Sequence, residues 1–424
     1  MRSRSPVHPP AGRAERAATT FDTPMLTGTL VGMDTDVIIA GAGPTGLTLA
    51  IDLRQRGVRC RVFDKAAAAS PGTRGFTLKP STLEVLAGLG VADRIRAAGT
   101  VERRLLFFLT PAEHATARQR RRAGTPLFEL ELRPTPDRES VGIPQFRTEA
   151  ILRERLAELG GEVEFGRAVT GFADRGDAVE VTIDDGSTLR SHYLVGTDGG
   201  RSTIRTAAGI GFVGRTHTES ALITDVRLEG LDPTSGVHMF MGPRGMVVCR
   251  PIPHDDHWQV VTGAPPGDEA LSAELVQRRC TELTQRDDLR VRAVRWTSIW
   301  RYNLRVADAY RKGRVFIAGD AAHVHPPTGG HGMNTGIQDA SNLGWRLGRA
   351  LDGTSGEDVL YGYERERLPV ARAILADSAE QFKGMTSLPR LPRFVLRRVL
   401  KAGFAKRQLS NQETPRHPAG TART

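Results

Sequence analysis

The sequence predicts an α/β chain in which a strand-rich sheet domain interrupts a nucleotide-binding domain. Three observations carry that reading. A Gly-rich turn joins a short apolar strand to a helix early in the chain; strand signals dominate from Ser220 to Asn303; and a buried strand, a second Gly-rich turn and a long helix follow from Arg314.

Taken in order, residues 1–33 are rich in Pro, Ala, Arg and Thr without periodicity, which predicts a disordered basic extension, with Met33 a more natural start than Met1. Asp36–Ala40 reads as a strand, Gly41–Gly46 as the turn, Leu47–Arg56 as a helix ended by Gly57, and Val58–Phe63 as the next strand. Together they form the βαβ unit that a parallel sheet requires. Ser81–Leu89 and Glu149–Leu159 read as helices; Val163–Phe165, Val169–Phe172, Val179–Ile183 and Tyr193–Thr197 read as strands. Strand alternation returns in Ala221–Leu228, His238–Met241, Met246–Arg250, Trp258–Thr262 and Val294–Tyr302, before the strand Arg314–Ala318 and the helix Gly336–Leu351. The expected division is 34–108, 140–218 and 304–352 for the nucleotide-binding domain and 219–303 for the inserted sheet. Helices at 353–400 and a disordered basic tail at 401–424 complete it.

Composition narrows the function classes. No run approaches the ~18 apolar residues of a membrane-spanning helix, and no apolar run follows the N-terminal arginines, so a cytoplasmic location is expected. Cys60, Cys249 and Cys280 are too few and scattered for a disulfide framework or a zinc site. The net charge of +11 is concentrated in the tail from Pro389, which holds nine Lys/Arg against Glu413 alone. The fold itself therefore offers no basic groove, and no specific nucleic-acid partner is expected.

The chemistry-bearing segments begin with Gly41-Ala42-Gly43-Pro44-Thr45-Gly46, a G-x-G-x-x-G set between strand and helix. Its glycines permit a tight turn, close approach to a pyrophosphate and helix–sheet packing, and the helix N-terminus favours the phosphates. Asp64 lies 18 residues past Gly46, where an acid accepts from a ribose. A second match, Gly209–Gly214, follows a helix-like stretch, and reads as a helix C-cap running into a loop. Two further segments choose the ligand: Asp198-Gly199-Gly200 after the strand Tyr193–Thr197, and Gly319-Asp320 after Arg314–Ala318, with Pro326–Asn334 behind it. Asp320 can accept from a ribitol or ribose hydroxyl, and the Gly-rich run lets backbone N–H groups at a helix start face an anionic edge such as that of a reduced flavin.

These three segments resemble the glycine, DG and GD motifs of the class A flavoprotein monooxygenases, the para-hydroxybenzoate hydroxylase-like family, and within it the aromatic polyketide hydroxylases. The resemblance spans Thr35 to Met385. It implies a GR2-type Rossmann-like domain holding FAD non-covalently, with NAD(P)H as a transient co-substrate. The cofactor-binding residues it implies are Gly41, Gly43, Pro44, Thr45, Gly46, Asp64, Lys65, Arg74, Gln145, Asp198, Asp320, Pro327, Gly330, Gly332, Met333 and Asn334. Asp64-Lys65 stands where Glu-Arg is more usual, and His331 where Gln, Lys or an apolar residue is expected; Pro327 and His331 are the candidates beside the reacting ring. Larger relatives continue into a thioredoxin-like domain.

The implied reaction is hydroxylation of a small aromatic substrate, phenolic or polyketide, with O2, through a flavin C4a-hydroperoxide. The inserted sheet would supply the substrate contacts; His238, Phe240, Met246, Val248, Arg250 and Trp300 are the candidates, about half of which alternation turns away. No metal site is expected, since His323 and His325 lack further ligands. A homodimer is a compatible assembly. The alternatives are a Baeyer–Villiger or antibiotic-inactivating flavin oxygenase and, from another class, a non-catalytic flavin-binding partner protein. A flavin halogenase is disfavoured by the lack of a W-x-W-x-I-P segment.

Overall fold

The computed structural model describes residues 32–111, 124–132, 135, 138–265, 267, 269–326, 330–386, 397–398 and 401–403, with side chains undescribed from 379 to 386. The expected extension at 1–31 and the tail at 404–424 lie outside the described residues, as does Pro327.

The first sheet is built on five parallel strands in the order Val315–Ile317, Thr188–Gly196, Thr35–Ala40, Cys60–Asp64, Val163–Phe165. Strand Thr35–Ala40 sits centrally and is buried on both faces, which is why Val37, Ile38 and Ile39 read as a continuous apolar run and not as an alternating one. Strands Val169–Asp174 and Val179–Ile183 extend this sheet by antiparallel pairing. Helix Pro44–Gln55 covers it with Leu47, Leu49, Ala50, Ile51 and Leu53 buried. The long helix Gly332–Leu351 crosses that helix closely, because a Cβ on Gly344 would lie 2.2 Å from Asp52 Oδ2. Its start at Gly332 is four residues earlier than the apolar periodicity indicates.

The second sheet has eight strands, ordered His323–Val324, Arg290–Ala307, Phe212–Glu229, His257–Gly263, Gly245–Pro251, Val237–Gly242, Arg104–Leu109, Phe128–Glu131. Helix Ala273–Thr284 packs Val276, Cys280 and Leu283 against one face, meeting Leu222, Val226, Phe240, Val247, Cys249, Trp258 and Val260. The other face carries Asp225, Gln259 and Trp296 against Gly72 and Thr73.

The structure departs from the sequence expectation at four places. Strand Arg104–Leu109 pairs in parallel with Val237–Gly242, so it belongs to the second sheet although 34–108 was assigned to the first domain. No local signal reports a pairing between residues 132 apart in sequence. The strands expected at Ala221–Leu228 and Val294–Tyr302 are each 18 residues long, Phe212–Glu229 and Arg290–Ala307. They run as an exposed polar ribbon beyond the buried part of the sheet, and a solvated ribbon lacks apolar alternation. The loop expected after Gly209 is accordingly a strand from Phe212; Gly209 itself, with φ +65°, does end the helix Thr203–Ala207. In the expected tail, Lys401–Gly403 are helical.

Candidate active site

The loops at the carboxyl ends of the parallel strands converge, as they must where a doubly wound sheet binds a ligand. Gly41 has φ +107°, and a Cβ there would lie 2.4 Å from Thr197 O; one on Gly46 would lie 2.0 Å from Gly41 O. These two glycines close the turn against its own backbone and against the neighbouring strand. Gly43 differs: its Cβ direction meets nothing within 4 Å, so this N-cap residue leaves room for a ligand at the helix N-terminus. Asp64 accepts from Ala42 N–H (2.8 Å) and Ala66 N–H (2.8 Å), which fixes its carboxylate beside the turn. Lys65, next to it, is exposed.

Across the cleft, Gly319-Asp320 follows the strand Val315–Ile317. Asp320 is solvent-accessible although protein surrounds it, and that burial pushes its carboxyl above the ordinary carboxylate range against the charges of His323 and Arg74. It faces the first turn of helix Gly332–Leu351: a Cβ on Gly332 would lie 3.9 Å from Asp320 Oδ1 and 3.7 Å from the His325 ring. His325 is buried, donates from Nδ1 to Pro326 O (3.0 Å), and has no hydrogen-bond partner at Nε2 among the described residues; burial pulls its pKa down to about 4. A helix N-terminus, an accessible acid in a protein-walled cleft and an unpartnered imidazole nitrogen suit the polar edge of a planar cofactor.

Arg74 is exposed and acts electrostatically on both Glu149 and Asp320. Gln145 accepts from Gly75 N–H (2.8 Å) and donates to Glu149 Oε1 (2.8 Å), so it ties the Arg74 segment to helix Gln145–Glu158. Asn334 donates to Thr77 O (2.8 Å) and Gly330 O (2.7 Å) and accepts from Lys79 N–H (2.8 Å), locking the Gly-rich run to the segment after Arg74. Met333 lies beside Gly75, its Sδ 3.2 Å from where a Cβ would stand. Gly41, Gly43, Pro44, Thr45, Gly46, Asp64, Arg74, Gln145, Asp320, Gly330, Gly332, Met333 and Asn334 all lie on loops, strand ends or helix starts.

Asp198 is used differently. Its carboxylate accepts from Ser202 Oγ (2.5 Å), Thr203 N–H (2.7 Å) and Ile204 N–H (3.2 Å), so both oxygens cap the short helix Thr203–Ala207. The substrate candidates divide by strand parity. Met246, Val248, Arg250 and Trp300 share the face opposite helix Ala273–Thr284. His238 and Phe240 point the other way, stacked with Phe108 (5.7 Å and 4.6 Å), so the structure places them in the core under helix Ala273–Thr284.

Some residues at the site escape motif reading. Glu149 is buried, and burial raises its carboxyl above the usual range. Asp339 accepts from His323 Nε2 (2.6 Å), Arg367 Nε (2.6 Å) and Gly319 N–H (3.2 Å). Burial alone would raise its carboxyl, but Arg367 and His323 hold it below the ordinary range, and the triad braces the Gly319-Asp320 turn from behind. The available signal is an acid on the buried stripe shared by Ile337, Ala340 and Leu343.

Residues 34–378 match the family model for the FAD binding domain. A "flavin-dependent monooxygenase" of Mycobacteroides abscessus is 43% identical over 356 residues, 81% of this chain and 73% of that one. The "6-methylpretetramide 4-monooxygenase" of Streptomyces rimosus is 39% identical over 348 residues, 81% of this chain and 60% of that one. Among solved structures, the anhydrotetracycline hydroxylase OxyS from Streptomyces rimosus superposes with a TM-score of 0.69 at 32% identity, covering 89% of this chain and 75% of that one. The chain therefore spans about three-fifths to three-quarters of these proteins. With the cleft geometry and these matches together, the chain belongs to the FAD-binding-domain family, among the class A flavin-dependent monooxygenases.

Proposed function

We propose that this protein uses FAD, NAD(P)H and O2 to hydroxylate an aromatic substrate of polyketide or phenolic type. The observation that carries the reading is the confluence of Gly43, Asp64, Asp320 and Gly332, from four separate stretches of chain. FAD, when bound, supplies acceptance of a hydride and activation of O2.

The chain's own residues bind, orient and exclude water. The open side of Gly43 and the N-terminus of helix Pro44–Gln55 would take the pyrophosphate, with Arg74 as a counter-charge. Asp64 would accept from the ribose and Asp320 from the ribityl chain. Gly330, Gly332, Met333, Asn334 and Pro327 would border the ring system, with backbone N–H groups of helix Gly332–Leu351 facing its anionic edge. His325 Nε2 would add a side-chain hydrogen-bond acceptor there. Met246, Val248 and Trp300, on the face opposite helix Ala273–Thr284, would orient a planar substrate and keep water from it. Arg250 is held by Glu102 (3.1 Å) and Gln259 (3.3 Å), which suits it better to positioning than to direct proton transfer.

The test is turnover of the holoprotein with NADPH under labelled O2 across a panel of phenolic and quinonoid polyketides. A product carrying one labelled oxygen on an intact ring supports the proposal; a ring-expanded lactone transfers the chain to Baeyer–Villiger chemistry.

A further inference from the structure

The segment Gly72–Phe76, which presents Arg74 to the cofactor cleft, is seated residue by residue on one cross-strand row of the second sheet. Arg250, Gln259, Asp225 and Trp296 are direct neighbours across four adjacent strands. Trp296 fills the place of a side chain at Gly72, where a Cβ would come within 2.2 Å of its ring. Asp225 accepts the Thr73 hydroxyl proton, and Gln259 Nε2 donates to Thr73 Oγ1 (2.9 Å) and to Thr73 O. The Arg250 guanidinium lies 4.8 Å over the Phe76 ring. On the far side, Gly75 exchanges backbone and side-chain hydrogen bonds with Gln145. Arg74 is thereby bracketed at both neighbours while its own side chain stays exposed.

Asp225 is an expensive way to make this contact. It is 0% exposed, its Oδ2 lacks a hydrogen bond, and its nearest cation, Arg295, is 3.7 Å away and shared with Asp255 (2.7 Å). Burial accordingly pushes its pKa up to about 6. A buried acid so poorly compensated adds little to stability, so what it secures is position. We propose that Asp225, with Gln259, is a positioning residue that latches Thr73 and so sets Arg74 for cofactor binding.

The proposal rests on the reading of the cleft as an FAD site. Dilution of the full-length holoprotein, with released FAD followed by its recovered fluorescence, gives the dissociation constant. Thr73→Val and Asp225→Ala should each raise it at least about tenfold, with the double variant little worse than either and Thr73→Ser close to wild type. In an Arg74→Ala background, Asp225→Ala should change it by less than about twofold. Should Asp225→Ala fail to fold, Thr73→Val and Gln259→Ala carry the same test. Unchanged FAD affinity in these variants, with only a lowered Tm, overturns the latch, as does a full effect persisting without Arg74. Wild-type protein that takes up no FAD is a different failure: it removes the cofactor reading itself.

Discussion

Lys79 Nζ lies 2.9 Å from His331 Nδ1, joining the residue before helix Pro80–Gly88 to the residue before helix Gly332–Leu351. An ammonium can only donate, so the imidazole accepts at Nδ1 and is neutral; its Nε2 lies 3.4 Å from Lys79 Nζ and 3.9 Å from Asp377 Oδ2. Burial lowers the Lys79 pKa to about 8; burial, then Lys79 and His325, lower that of His331 to about 3. The unusual histidine beside the Gly-rich run is therefore a neutral, lysine-held group at working pH.

Because the folded pKa of Lys79 is depressed, its contribution to stability is full above the unfolded value of 10.5 and is lost as pH falls through about 8. Wild type should gain about 2 kcal/mol relative to Lys79→Met between pH 7.5 and pH 9.5. Urea unfolding of both proteins at the two pH values measures it; a constant difference contradicts the buried ammonium.

His238 makes the complementary case in acid. It is buried under helix Ala273–Thr284, and burial lowers its pKa to about 4. Its stabilising contribution is full above 6.5 and falls away as pH drops towards about 4. Between pH 7 and pH 5 wild type should lose about 2 kcal/mol more than His238→Phe, which keeps the stacking on Phe108 without a titrating group. Equal losses would place the imidazole in water.

The two glycines of the first turn separate folding from binding. Gly46→Ala drives a Cβ to 2.0 Å from Gly41 O and should cost about 2 kcal/mol or more of stability. Gly43→Ala meets nothing in the protein, so its stability should stay within about 1 kcal/mol of wild type. Its FAD affinity should nevertheless fall at least about tenfold, since the methyl would enter the space proposed for the pyrophosphate. Denaturation paired with flavin-fluorescence titration distinguishes the two; unimpaired FAD binding by Gly43→Ala would place the phosphates elsewhere.

What could be read from sequence follows the range of the interactions. The first turn and Asp64 were legible because strand, glycines and acid are contiguous and each has a local geometric reason. Gly319-Asp320 and the run to Asn334 were legible for the same reason. Face assignment in the second sheet was not: His238 and Met239 differ only by parity, and which parity is buried depends on helix Ala273–Thr284, further along the chain. Asp225 left one signal, a lone acid in the apolar run Ala221–Leu228, but its partner Thr73 is 152 residues distant. The capping use of Asp198 was equally local and foreseeable, since Ser202 and Thr203 follow within five residues.

The most direct measurement of the central claim is anaerobic mixing of the purified flavoprotein with NADPH, with and without phenolic and quinonoid polyketides, following the flavin band near ~450 nm. The account predicts a yellow protein whose colour bleaches faster with one ligand class, then returns on admitting O2 with an oxygenated product. Colourless protein that takes up no added FAD, or yellow protein that never bleaches with any ligand, would contradict it.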